Sequence, residues 1–332
     1  CACVGGWTGP SCTTPTCATP CENGGSCAAL NTCACVGGWT GPSCTTPTCA
    51  TPCENGGSCA APNTCACVGQ WFGPQCQFGG DMVRIPSTGA TTTYIMGCPA
   101  SDGWCPDFST PAHQVTLDAY LIDRYPVTAA EYKLCVDAGV CTYIPIVNPR
   151  ATYDAVGMEN HPINFVNWDQ ATAYCAWLGK RLPTEAEWER AAKGPTHQRY
   201  PWGNACPTTW SGTYCADAEW TPSTAKANGW EDYTHDDFYA TSPVDAFASG
   251  ASPEGVQDLV GNVWEWGSDW PQLSYPEDPV INPTGASTGS RRVLRGASYS
   301  EDGEFLRSTH RGGRPPSDRE SFIGFRCVRT AP

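Results

Sequence analysis

The stretch Val256-Gln257-Asp258-Leu259-Val260-Gly261-Asn262-Val263-Trp264-Glu265-Trp266 decides how the rest of the chain is read. An Asp and a Glu seven positions apart bracket a Gly-Asn turn, with free carbonyls between them. Such a segment can fold back around one hard cation, and calcium prefers a shell of carboxylate and main-chain oxygens. The two tryptophans would bury the flanks and hold the loop still. The plainer alternative is a packed turn whose carboxylates face water, and the stretch by itself leaves both open.

Two further motifs lie on either side. Arg181-Leu182-Pro183-Thr184-Glu185-Ala186-Glu187-Trp188-Glu189 precedes it, and Ile323-Gly324-Phe325-Arg326-Cys327 lies near the end of the sequence. In this order, Gly261 to Trp266 and these two segments resemble the formylglycine-generating enzyme (sulfatase-modifying factor) family over residues 81–332. The resemblance implies an α+β fold with much irregular coil, a variant of the C-type-lectin-like architecture. It implies calcium ligands at the Asp258 and Glu265 side chains and the Gly261 and Val263 carbonyls, with Asp258 standing where the family usually has Asn. A second implied calcium site takes Asp236 and the Phe238 carbonyl, completed by Asp217 and Ala218 across a gapped stretch. Calcium in both places would be structural, cross-linking coil too irregular to hold itself.

The family's enzymes carry two cysteines, five apart, after a Gly-(Gly/Ala)-Ser-(Tyr/Trp) turn, and these bind copper. Here the turn is Gly296-Ala297-Ser298-Tyr299, and the two positions hold Glu301 and Leu306. Copper(I) needs soft thiolate ligands, which neither side chain supplies. No copper is expected, no catalytic residue is assigned, and formylglycine-generating activity is not expected. The histidine-bound iron of other superfamily members finds no counterpart, since His113, His161, His197, His235 and His310 are scattered. No nucleophile motif supports a Ser–His–Asp triad.

Cysteine divides the chain in two: of 23, 15 fall in residues 1–76 and 8 in 81–332. Such density in a short segment implies an oxidising compartment, outside the cytosol. The net charge of −14 argues against nucleic acid, and no apolar run is long enough to span a membrane. Residues 1–80 carry only Glu22 and Glu54 as charged side chains. Cys1-Ala2-Cys3-Val4-Gly5-Gly6-Trp7 returns at Cys33 and, altered, at Cys65, a period of 32 residues. The cysteine order resembles EGF-like modules: a partial one over 1–12, then 13–44 and 45–77. Spacing alone leaves fifteen connectivities for six cysteines. The resemblance implies Cys17–Cys27, Cys21–Cys33, Cys35–Cys44, then Cys49–Cys59, Cys53–Cys65, Cys67–Cys76, with Cys3–Cys12 in the partial module. Zinc is the rival reading for clustered cysteines, but the arm has no His. Cys1 is left over, which predicts either an array that continues upstream or a bond to another chain.

Short linkers with proline predict a semi-rigid rod. Ser26 and Ser58 lie in a sequence resembling the O-fucosylation sequon, and the Thr/Pro linkers, Thr14 and Thr46 among them, resemble O-glycosylated stalks; plain linker composition is the alternative.

In residues 81–332, Met82–Pro86 and Thr91–Gly97 read as a hairpin, and Val115, Leu117, Ala119 and Leu121 alternate as one strand. Thr128-x-x-Glu131, Asn167-x-x-Gln170 and Thr184-x-x-Glu187 predict three helix starts. Cys98 with Cys105, Cys135 with Cys141 and Cys206 with Cys215 are near enough to be local staples, while Cys175 with Cys327 matches the long-range disulfide the resemblance implies.

These features predict a non-catalytic, secreted or cell-surface structural or adhesive protein that self-associates, arm on neighbouring head. The first rival is a glycan- or protein-binding head on a stalk, with Trp270, Tyr299, Glu301, Arg307 and Arg311 as candidate contacts. The second is an oxidoreductase with a reassigned site.

Overall fold

The computed structural model describes residues 3, 5–54, 56–66, 71–72, 75–76, 78–79, 81–86, 93–99, 109–196, 198–204, 227, 238–301 and 305–331, with Trp71, Phe72 and Phe78 described by backbone alone. The chain divides into two compact units, Cys1–Gly80 and Asp81–Pro332.

The first unit is built from two-stranded ribbons. β1 (Trp7–Thr8) pairs β2 (Thr14–Pro15), β3 (Ser26–Ala29) pairs β4 (Thr32–Ala34), and β5 (Trp39–Thr40) pairs β6 (Thr46–Pro47). β7 (Ser58–Ala61) pairs β8 (Thr64–Ala66), and β9 (Trp71–Phe72) pairs β10 (Phe78–Gly79). Isolated ribbons of this size are not stable in water, so cross-links must hold them. Cys3 is bonded to Cys12, Cys17 to Cys27, Cys21 to Cys33, Cys35 to Cys44, Cys49 to Cys59 and Cys53 to Cys65. Cys76 is also disulfide-bonded; Cys1 and Cys67 lie outside the described residues. The sulfurs of Cys17, Cys21 and Cys33 approach closely enough for a metal, as do those of Cys49, Cys53 and Cys65. All six are spent in disulfides, which removes the thiolates zinc would need.

Successive modules are joined by the same contact twice. The Thr16 N–H and hydroxyl both donate to the Gly6 carbonyl, at 2.8 and 2.6 Å, and the Asn31 N–H donates to the Thr16 carbonyl. One repeat later Thr48 does the same to Gly38, both at 2.7 Å, and Asn63 to Thr48. The hydroxyls of Thr16 and Thr48 are therefore part of the joint, whereas Ser26, Ser58, Thr14 and Thr46 are exposed. Gly6 and Gly38 have φ of +84° and +83°, and a Cβ at Gly38 would stand 2.8 Å from Cβ of Pro62 in the next module. Glycine is required there by both backbone and neighbour. The third repeat has Gln70 at the equivalent position, where no further module follows. Gly38→Leu is expected to speed amide exchange at Thr48 and Asn63 at least tenfold, given roughly 1–2 kcal/mol for a side chain in the left-handed region. Thr16 and Asn31 serve as internal controls, and equal protection at both joints would show the glycine to be dispensable.

In the second unit three sheets surround one buried helix. β11 (Met82–Ile85), β14 (Tyr120–Asp123) and β20 (Val328–Thr330) form an antiparallel sheet in the order β11-β14-β20. β12 (Thr93–Met96) pairs antiparallel with β13 (His113–Thr116), which pairs parallel with β16 (Val280–Ile281). The third sheet runs β18 (Arg311–Arg314), β17 (Arg292–Arg295), β15 (Trp264–Trp266), β19 (Ile323–Gly324). The hairpin expected at 82–97 is therefore not formed. β11 lies against β14, with Val83 opposite Ile122, while Tyr94 of β12 donates to the Ala186 carbonyl. The alternating run at 115–121 likewise splits into β13 and β14, because its two ends serve different sheets.

α1 (Ala129–Asp137), α2 (Trp168–Trp177) and α3 (Glu185–Lys193) begin at Thr128, Asn167 and Thr184, each with a complete capping box. A capping box satisfies two otherwise orphaned N–H groups by local chemistry, so the sequence locates it well. Every residue of α3 is buried, including Glu185, Glu187, Glu189, Arg190 and Lys193. Their charges are answered from elsewhere: Glu189 by Lys193 and Arg295, Glu185 by Arg311, Arg190 by Glu254 and Glu187 by Arg181. Cys135 is bonded to Cys141 and Cys175 to Cys327. Cys98 is disulfide-bonded; Cys105, Cys206 and Cys215 lie outside the described residues. No described helix is long and apolar enough to cross a membrane.

Candidate functional site

The Asp258–Trp266 segment is a tight loop feeding β15. Asp258, Gly261 and Asn262 all have positive φ, at 51°, 79° and 61°, a region that Asp, Asn and Gly enter at least cost. Asn262 is fully buried and works as a piece of backbone: its Oδ1 accepts from the Ser242 N–H and its Nδ2 donates to the Ser242 carbonyl. Trp266 Nε1 donates to the Val166 carbonyl at 3.0 Å, so the apolar flank is anchored at its polar atom.

The two carboxylates of the loop are treated differently. Asp258 Oδ2 is buried with no hydrogen-bond partner, and burial pushes this carboxyl well above the usual carboxylate range. The carbonyls of Gly261 and Val263 accept no hydrogen bond among the described residues. Glu265 is engaged: Arg326 donates through Nε and Nη2 at 2.7 Å each, and Trp188 Nε1 donates at 2.7 Å. A carboxylate offers about four acceptor positions, so three are used and one on Oε1 is left. An orphaned buried oxygen, two uncommitted carbonyls and one remaining lone pair are the oxygen donors that suit a hard cation, whose charge would favour the ionised form of Asp258. Of the second implied site, Asp217, Ala218 and Asp236 lie outside the described residues. Phe238 is seen packing its ring at 6.4 Å from His161 and 6.3 Å from Phe247.

The Glu301 position is closed by its own neighbours. The Ser298 N–H and hydroxyl donate to Glu301 Oε2, and Trp264 Nε1 donates to Oε1 at 3.0 Å. Leu306 is 2% exposed. His310 lies 5.3 Å from the Trp264 ring and 5.1 Å from Phe305. Burial, then the fields of Arg295 and Arg307, bring its imidazole down to about 4, so it is neutral at physiological pH. The Ser300 hydroxyl adds a fourth donor to Glu301, on Oε2 at 3.2 Å, and neither this carboxylate nor the buried methyl-tipped Leu306 is a soft ligand for a metal.

The five residues expected to line a binding groove do not share a surface. Tyr299, Arg307 and Arg311 are buried. Tyr299 bonds the Ser321 hydroxyl at 2.8 Å, and Arg311 pairs with Glu185 at 2.6 Å. For Arg311 the reason is electrostatic: the acids of α3 are enclosed, and Arg295 of β17 and Arg311 of β18 are drawn inward to compensate them. Trp270 and Glu301 stay half-exposed, Trp270 stacked 3.6 Å from the Arg292 guanidinium. Arg326 and Trp188, which orient Glu265, were given no role from sequence, although both lie inside the quoted motifs.

Fold and loop together define a mixed-sheet head with a tight, buried loop entering its third sheet. The sulfatase-modifying factor enzyme 1-like domain matches residues 71–331, and the chain belongs to that family. It is 32% identical over 288 residues to the formylglycine-generating enzyme of Streptomyces coelicolor, covering 72% of this chain and 87% of that protein. It is also 32% identical over 286 residues to the inactive C-alpha-formylglycine-generating enzyme 2 of Mus musculus, covering 72% and 83%. Among solved structures it is similar to PvdO from Pseudomonas aeruginosa, at 27% identity and a TM-score of 0.60 over 75% of this chain and 94% of that one.

Proposed function

We propose that this chain is a non-catalytic member of its family, an extracellular structural or adhesive protein in which an EGF-like arm carries a calcium-stabilised head. The observation that carries the reading is the Glu301–Ser298–Trp264 cluster, together with the burial of Leu306. A relative named as inactive supports it. Incubated with copper(I), oxygen and a cysteine-bearing peptide, the full chain is expected to leave copper in the filtrate and the peptide unoxidised. Stoichiometric copper retained with the protein would sink the reading.

Calcium is the cation proposed for Asp258, Gly261, Val263 and Glu265, where it would neutralise a buried carboxylate and tie irregular chain together. A ligand bound only to the folded state at a hundredfold over its Kd adds about 2.7 kcal/mol. Calcium should therefore raise the melting temperature of the chelator-treated protein by several degrees, and Asp258→Ala should abolish that rise. Self-association, arm on neighbouring head, is proposed from the nearly uncharged repeats and from Trp7, which is exposed, and Trp39, which is half-buried. Light scattering that reports a monomer at all concentrations would reject it.

A further inference from the structure

A cavity of about 270 Å³ opens between α3, β12, β13 and the chain around Asp269 and β16. That volume is just below the ~300–1,000 Å³ of ordinary small-molecule pockets, enough for a few-carbon molecule or one side chain. Its wall is apolar at Met96, Pro276, Val280 and Pro283, and its polar groups include Asp269 and His113. Asp269 is 3% exposed and accepts one bond from the Ser268 hydroxyl and a longer one, 3.2 Å, from the Glu185 N–H. No cationic side chain lies at ion-pair distance from it among the described residues. Arg292, whose field reaches it, is held between the rings of Trp168 and Trp270 at 3.8 and 3.6 Å and does not line the cavity.

His113 is the second polar group. It is 4% exposed, and its Nδ1 lies 3.3 Å from the Pro111 carbonyl, which places the proton on Nδ1. Nε2, the lone-pair nitrogen, has no partner among the described residues. Burial holds the imidazole below its ordinary range, so it is neutral and accepts. Glu185 also faces the cavity, but Arg311 and the Tyr275 hydroxyl already occupy its oxygens. The cavity therefore offers acceptors without a matching charge.

We propose that this cavity binds a small organic cation, an ammonium group on a short aliphatic stem, with the nitrogen against Asp269 and His113 Nε2 and the stem along the apolar wall. Burial and the neighbouring Glu185 carboxylate push Asp269 up to about 7, as expected of a buried acid lacking its counter-charge. An ammonium supplies donors and positive charge together, a neutral alcohol supplies only a donor, and an anion is repelled by Asp269 and Glu185.

The experiment titrates the full chain with n-butylammonium, n-butanol and butyrate in mildly alkaline buffer, above the titration of Asp269. Binding is followed by the His113 ring resonances and by calorimetry. The ammonium is expected to move those resonances and to bind at least tenfold tighter than the alcohol, with no response to butyrate. Asp269→Asn, folded by near-UV dichroism, should lose at least tenfold in ammonium affinity. Equal response to alcohol and ammonium overturns the proposal, as does a stationary His113 signal through the highest soluble ammonium concentration. The wild-type resonance test stands even where the variant does not fold.

Discussion

Replacing Arg326 by Met is expected to cost about 3–5 kcal/mol of stability, the usual result of removing one partner of a buried ion pair. Arg326 and Glu265 both have fully buried side chains. Besides its two bonds to Glu265, the guanidinium donates to the carbonyls of Asp123, Arg124, Gln257 and Asp258. It thus holds the end of β14, the approach to the Asp258–Trp266 loop and β15 itself in one grip. Met preserves the stem but leaves the Glu265 carboxylate with Trp188 as its sole donor. Against a total stability of roughly 5–15 kcal/mol for a domain, that loss is large. Urea unfolding of the full chain, followed by near-UV dichroism in chelator, measures it. Adding Glu265→Gln to Arg326→Met should restore part of the loss, because the desolvated charge goes while the acceptor for Trp188 stays. An unshifted urea midpoint in Arg326→Met would show that the pair does not hold this junction.

The second large effect belongs to Cys175–Cys327. The bond closes a loop with a sequence separation of 152 residues, joining α2 to the segment before β20, and both cysteines are fully buried. By the chain-entropy relation, a cross-link of that span restricts the unfolded state by about 5 kcal/mol, while a short one is worth about half as much. Cys135–Cys141, with a separation of 6, is the internal comparison. The paired substitution Cys175→Ala with Cys327→Ala is expected to lower stability about twice as far as Cys135→Ala with Cys141→Ala. Equal losses would show that local packing, not chain restriction, sets the value of the long bond.

Much of this was legible in the sequence because the physics involved is short-ranged. Thr128, Asn167 and Thr184 cap helices through partners three residues away, so their roles are written locally. The absence of cysteine at 301 and 306 is a chemical fact about two side chains and needs no fold to be read. The expected hairpin at 82–97 failed for the opposite reason, since apolar alternation marks a strand without naming its partner. Arg307 and Arg311, candidate contacts in the sequence, are buried, because whether an arginine faces water or an enclosed acid depends on segments remote in the chain.

The amino-acid order alone determined the modular arm, the helix starts and the loss of the thiolate pair. Only the tertiary structure decided which charges go inside: an α3 buried on every side, an arginine closing on Glu265, and Asp269 facing a cavity with no cation paired to it among the described residues. Capping is settled by neighbours along the chain, whereas burial is settled by segments that meet only when the whole domain closes.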